Sequence, residues 1–554
     1  MNTKEVLSSC WQELYPDAEE QFEQFWQRLQ QEKEVNFSSL PQLPNAWFRD
    51  GTAYVAYVDH FAKDFTDFTE RLPFLQELGV DILWLLPCLA SPMVDGGFDI
   101  SDFEKVRTSL QGQNGDEAFD LFLKRAGELG IRVIFDVTVN HCSDEHPWFK
   151  EAAAAKDSHK RNWFFWNDDE ERFSKARLLF KGMVDSNWEK SDRTGQYYFH
   201  RFYPCQPDLN YQNPEVMEAM ISVFANWRKR GVSGFRLDAV PFIWKDEGTD
   251  CENRPRAHTI IRFFRAALDY LAPNTLMLAE ACQPPKEVVQ FFGKGDECHG
   301  AYHFPVMPMI YLALARGDGQ CIKDVLSPEI TPPVPEDCQW FTFLRCHDEL
   351  TLEMVTPEQR KEIHSHFCHD ERWNFRCGEG ISSRLFQLCK GNLDQVLLAF
   401  SLLFTLPGTP IIYYGDEVAM VNDDEYFEKK SRETGFQDSR LLVRGKIDWI
   451  ETEKALADST SKAAQTLQAL KEMIKVRKES APLTRGELHF PENKAFVIKR
   501  TLDQEKVVAV HNLTTEKLTV ELNEDNEELY NRNAKLEGKT LELAPYGFSW
   551  LKLI

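Results

Sequence analysis

No stretch of this 554-residue chain approaches the ~18 uncharged apolar residues of a membrane-spanning helix, and residues 1–14 lack the apolar centre of a secretion signal. A soluble, unexported, cytoplasmic protein is expected. CxxC pairs are missing as well: the thirteen cysteines are an odd number and stand singly. That argues against a disulfide framework or a zinc site and fits a reducing compartment. Positive charge is the scarcer sign, with 64 Lys and Arg against 88 Asp and Glu and a net charge of −24. Nucleic acid, anionic membrane and polyanionic substrates are therefore poor partners. The ligand that fits is small and neutral, and nothing in the sequence fixes an oligomeric state.

What is present is apolar material for a large core, 43% of residues. Fourteen Trp and forty Phe serve first as core and also suit stacking against sugars. The length exceeds one ordinary core, so a barrel with smaller modules is the natural expectation. Trp11, Leu14, Phe22, Phe25, Trp26 and Leu29 recur at helical spacing, which predicts an N-terminal helical segment over 1–46, closed by Pro41 and Pro44. From Ala53 the pattern becomes strand then helix. Strands are predicted at 54–61, 81–86, 132–139, 232–240, 276–280, 341–348 and 410–414, with helices at 66–78, 115–129, 214–230, 255–271 and 393–405. This alternation means parallel strands with crossover helices. The fold class is α/β, a (β/α)8 TIM barrel over 47–140 and 215–480. An excursion of roughly 70 residues, 141–214, is too long for a βα loop and forms an inserted subdomain. Short strands with polar turns over 481–554 predict a C-terminal antiparallel β domain.

One strand is charged where a buried strand should not be. In Gly234-Phe235-Arg236-Leu237-Asp238, Arg236 and Asp238 are two apart and share a face, so they must satisfy each other or do chemistry. Asp136, Glu280 and Asp348 end other apolar runs, and the mouth of one barrel gathers such residues. Glycoside cleavage with retention needs a carboxylate nucleophile and a carboxylic acid. Arg236 should keep Asp238 ionised for the first role, and the apolar run before Glu280 should raise its pKa for the second. A single strand-end carboxylate is as well explained by a helix cap or an ion pair; four together are not.

Asp136-Val137-Thr138-Val139-Asn140-His141, the Arg236–Asp238 run, Glu280 and His347-Asp348 resemble, in order, the four signature regions of the α-amylase family of glycoside hydrolases. Gln206-Pro207-Asp208-Leu209-Asn210 resembles its additional signature. The resemblance implies Asp238 as nucleophile, Glu280 as acid/base and Asp348 as stabiliser of the transition state, with Arg236, His141 and His347 holding the first sugar. It also places Asp95, Phe98, Asp99, Asp136 and Arg440 among the substrate-binding residues, with an Asp95–Arg440 pair closing the base of the pocket. Phe242-Ile243-Trp244-Lys245 and Gly415-Asp416-Glu417 are similar to amylosucrases; Phe202 to Asp208 and His347 to Thr356 are similar to trehalose synthases.

A closed pocket accepts a chain end, so exo action on short α-glucosides is expected, with sucrose first and maltose or trehalose second. The alternatives are a trehalose synthase-like isomerase of maltose, an endo-acting α-amylase, or a non-catalytic scaffold on the same fold. Retention of all three carboxylates argues against the last. The chain departs from the family pattern with Phe98 in place of a usual Tyr, with Cys142, Cys282 and Cys346 near the site, and with a shortened insert after Asp348. No cofactor is required. Calcium at Asn140 stays open, without a cluster of ligands in the sequence to support it.

Overall fold

The structure, a computed structural model, describes residues 2–435, 437–522 and 524–554. Eight short parallel strands close in chain order into a barrel: β1 Ala53–Ala56, β2 Ile82–Leu85, β3 Arg132–Thr138, β4 Gly234–Asp238, β5 Leu276–Ala279, β6 Gly300–Tyr302, β7 Gln339–Phe343 and β8 Thr409–Tyr413. Nearly every residue on them is buried, as strands covered on both faces require. Glycine sets the approach of β4 to β5. A Cβ on Gly234 would lie 2.5 Å from the Leu276 Cβ and 2.6 Å from its carbonyl oxygen.

Three features differ from expectation. β1 stops at Ala56, and Val58–Phe61 is a helical turn, because polar Asp59 and His60 break the apolar run. β6 is three residues of Gly, Ala and Tyr, too short and too poor in β-branched residues to stand out. β7 ends at Phe343, so Asp348 sits on a loop beyond the strand, held there by Arg345, which donates to the carbonyls of Ser383 (2.7 Å) and Asp348 (2.9 Å).

Two excursions rise from the C-terminal ends of the strands. The first follows β3 and carries helix Pro147–Ala152 and a three-stranded sheet of Trp166–Asn167, Trp188–Lys190 and Tyr197–Phe199. The second, over 344–392, follows β7 and carries helix Pro357–Phe367 and strands Leu350–Thr351, Asn374–Phe375 and Gly380–Ile381. At the N-terminus, a capping box of Asn2 and Glu5 starts helix Thr3–Leu14. Its Trp11 packs on Phe25 and on Phe263 of a barrel helix, with ring centroids 5.8 and 5.7 Å apart. Helix Leu393–Thr405 is apolar on nearly all sides because it lies between the barrel and a six-stranded antiparallel sheet of residues 487–553. There Ser401 Oγ joins the His511 ring (2.9 Å) and accepts from Trp550 Nε1 (2.8 Å).

Candidate active site

Arg236 is 2% exposed and is the centre of the charged layer at the barrel mouth. Trp84 of β2 donates to Asp136 (2.8 Å), and Asp136 pairs with Arg236 Nη1 (2.7 Å), which aims the guanidinium upward. Above it, Nη1 also pairs closely with Asp238, and Nη2 lies 3.4 Å from Glu280. One guanidinium thus spans both carboxylates. Ala239 follows Asp238 in the left-handed region, with φ at 58°, a strained setting for a residue with a side chain. That turn points its N–H at Glu280 Oε2, 2.9 Å away.

Burial pushes Asp238 up to about 6, with Arg236 opposing the rise. Arg236 limits that rise, so Asp238 is mainly ionised near neutral pH. Burial takes Glu280 further, to about 7, opposed by Arg236 and reinforced by the charge of Asp238. The order of the two proton affinities suits one acid and one base near neutrality.

Asp348 is the third carboxylate of the group. Its Oδ1 is 3.1 Å from both Arg440 Nη1 and Arg444 Nη2, and its Oδ2 is 3.1 Å from His347 Nε2. Burial alone would raise its pKa, but His347 and the two arginines hold it well below the usual carboxylate range. Burial keeps His347 well below its ordinary value, so at neutral pH the arginines supply the charge. Arg440 also pairs with Asp438 (2.6 Å) and reaches Asp95 at 3.4 Å. Phe98 stacks on His347 with centroids 5.1 Å apart and planes at 19°. His141 Nε2 meets the Phe98 carbonyl at 3.2 Å.

These residues enclose a cavity of about 140 Å³, lined by Asp95, Phe98, His141, Arg236, Asp238, Glu280, His347, Asp348 and Arg440 among others. At roughly 10–15 Å³ per water on this scale, the space matches a hexose with part of a second ring. Asp99 and Asp136, expected among the sugar contacts, do not line it. Asp99 is wholly buried and accepts from Ser91 Oγ (2.9 Å) and from Val94 N (2.9 Å), shaping the turn that presents Asp95 and Phe98. Asp136 is wholly buried beneath Arg236.

The roof comes from residues not expected among the site residues, although Phe202, Glu349 and Glu353 lie in the runs that resemble trehalose synthases. Arg177, Phe180 and Phe202 descend from the first excursion, and Glu349, Glu353 and Arg376 from the second. Arg177 bridges Glu353 (2.6 Å) and Glu252 (2.9 Å). No periodicity marks Arg177 within its polar stretch. Arg444 follows Arg440 by four residues, but nothing in the sequence sets it beside Asp348.

The place offered to calcium at Asn140 is filled by a side chain. Lys245 Nζ donates to Asn140 Oδ1 (2.7 Å) and pairs with Asp208 Oδ2 (2.7 Å), with both charged side chains wholly buried. An ammonium that satisfies these oxygens leaves no room or charge for a divalent ion, so the donor set does not fit calcium. Cys346, His347 and Asp348 bring ligand-type atoms within 4.8 Å of one another, but Arg440 and Arg444 already neutralise Asp348. All thirteen cysteines are unpaired, and burial pushes the Cys346 thiol up to about 12, which keeps it an unreactive filler.

A closed eight-stranded barrel with these carboxylates at its mouth defines the class of a glycoside-cleaving or glycosyl-transferring enzyme, and the chain belongs to the α-amylase family: the family's catalytic domain matches residues 45–486. The C-terminal sheet, over 495–547, matches the domain described as alpha-amylase SusG C-terminal. The chain is 42% identical over 398 residues to the trehalose synthase/amylase of Mycobacterium tuberculosis, a match covering 70% of this chain and 65% of that protein. It is 41% identical over 391 residues to a trehalose synthase of Pimelobacter, covering 68% and 67%. The solved trehalulose synthase of Pseudomonas mesoacidophila shares the fold, with a TM-score of 0.72 at 23% identity over 93% of this chain and 100% of that one. Among the described residues, no helix is long and apolar enough to cross a membrane.

Proposed function

We propose that this enzyme interconverts maltose and trehalose by transferring a glucosyl group within a closed pocket, through a covalent β-glucosyl intermediate on Asp238. The observation that carries the reading is the roof: Arg177 ties the two excursions together over a cavity whose base is closed by Asp95 and Arg440. A pocket closed at its base and narrowed at its mouth by this bridge suits a small sugar, helps to retain the first leaving group and limits the entry of water. The trehalose synthases among the relatives favour maltose and trehalose over the sucrose placed first from sequence. Sucrose becomes the second donor to test.

In this reading Asp238 attacks the anomeric carbon while Glu280 gives its proton to the departing glycosidic oxygen. The glucosyl group is then an ester of Asp238 and the second glucose is free. Glu280, now ionised, takes a proton from a hydroxyl of that glucose, which attacks the anomeric carbon and releases Asp238. Attack by the anomeric hydroxyl gives trehalose, attack by the 4-hydroxyl restores maltose, and attack by water gives glucose. Asp348, His347 and Arg236 hold the first ring, and its developing positive charge faces carboxylates. Two carboxylates spanned by one guanidinium support the close spacing of a retaining pair.

Proton NMR of the protein with maltose, trehalose and sucrose in separate tubes tests the reading. The expected result is a trehalose anomeric signal growing from maltose, with free glucose as a minor product. Rapid consumption of sucrose with maltose left untouched would reject it.

A further inference from the structure

Below the sugar-sized cavity the barrel encloses a second one, of about 10 Å³, lined by Trp84, Arg236, Glu280, Tyr302 and His347 among others. That is room for about one water. Three of these residues carry a buried polar atom that makes no hydrogen bond of good geometry among the described residues: Arg236 Nε, Tyr302 Oη and His347 Nδ1. Each such atom left alone costs about 1–3 kcal/mol. Three of them around one small cavity point to a shared partner.

The mechanism above uses Arg236 and His347 but has no role for Tyr302. This residue ends β6 and is 3% exposed, with its ring 5.6 Å from that of Trp84 and 5.9 Å from the Arg236 guanidinium carbon. Burial raises its pKa well above the ordinary value; Arg236 opposes the rise, and Asp136 and Glu280 add to it. The hydroxyl therefore stands among the charges of the catalytic layer and keeps its proton. Arg236 faces Asp136 from β3, Asp238 on its own strand and Glu280 after β5, and spends both terminal nitrogens on them. Nε–H is the donor left over. His347 faces Asp348 through Nε2, and a neutral imidazole that donates from Nε2 accepts at Nδ1. Around the small cavity there are thus two donors and one acceptor. A single water complements them, accepting from Arg236 and Tyr302 and donating to His347.

We propose that one buried water joins Arg236 Nε, Tyr302 Oη and His347 Nδ1, and that Tyr302 is thereby a positioning residue that steadies the guanidinium spanning Asp238 and Glu280. This rests on the roles given to those two carboxylates above and not on the identity of the product. Tyr302→Phe keeps the ring and removes the hydroxyl. With maltose, or with sucrose where that is the better donor, kcat should fall about three- to tenfold, the worth of one hydrogen bond, while KM stays nearly unchanged. Arg236 lowers the proton affinity of both carboxylates. A less firmly held guanidinium should therefore move both limbs of the kcat/KM profile to higher pH, by roughly half a unit. The positions of the limbs do not depend on how much of a preparation is folded. A hydroxyl that serves packing alone would shift the unfolding midpoint and leave both limbs where they are. A crystal structure of the wild type should show a water within about 3.2 Å of Nε and Oη, and one of Tyr302→Phe should show that water lost or the guanidinium turned. Unmoved limbs, or a Tyr302 hydroxyl bonded directly to protein with no water beside it, would overturn the proposal. A wild type inert toward both sugars counts against the roles of Asp238 and Glu280 instead, and the crystal structures still decide whether Tyr302 and Arg236 share a water.

Discussion

Asp238 and Glu280 answer to one guanidinium yet are separated in proton affinity by their burial and by each other, and this sets the pH dependence. In the free enzyme kcat/KM should fall below pH about 6 as Asp238 takes up a proton and above about 7 as Glu280 loses one. The two apparent values belong to the pair, since each charge acts on the other. A profile flat from pH 5 to 8 would contradict this. Asp238→Asn and Glu280→Gln should each lower turnover by about three or more orders of magnitude, while thermal unfolding stays nearly unchanged. Lys245 carries a different prediction. Lys245→Ala leaves the wholly buried Asp208 without its ion-pair partner, with the Arg201 N–H still on Oδ1, and should cost about 3–5 kcal/mol in denaturant unfolding. A chelator should leave the wild-type midpoint where it is; a drop would mean that a metal contributes after all. At this scale the sequence showed Arg236 and Asp238, because period-two spacing puts them on one face. It hid Asp99 and Asp136, whose spacing from the site residues does not reveal that they turn inward to support them.

Strands and excursions position these groups, and here the sequence was legible where apolar runs were long. β3, β4 and helix Leu393–Thr405 could be read directly. β6, three residues long, had no pattern to read, and the second excursion was hidden because its helix and two-residue strands resemble an ordinary polar loop. Gly234 shows how tightly the elements are set. Gly234→Ala should destabilise the barrel by about 1–3 kcal/mol through overpacking against Leu276, visible as a lower unfolding midpoint. An unchanged midpoint would mean that β4 and β5 can move apart freely. Arg177→Ala should act on chemistry, not stability. Opening the roof admits water, so the ratio of glucose to isomerised product should rise several-fold. An unchanged ratio would mean that the excursions do not retain the leaving sugar.

The whole molecule places one charged pocket over a barrel whose flanks are packed by an N-terminal helical pair and a C-terminal sheet. Both attach through buried aromatic and hydrogen-bonded contacts remote from the cavity, so their natural role is to hold the barrel. The central claim is a glucosyl ester on Asp238. Its most direct test is mass spectrometry of Glu280→Gln treated with α-glucosyl fluoride, whose leaving group needs no acid and whose ester then lacks the base that would resolve it. The expected result is a mass gain of one glucosyl group on the peptide containing Asp238, absent when Asp238→Asn is added. A glucosyl group on another carboxylate, or turnover with inversion and no adduct, would contradict the account.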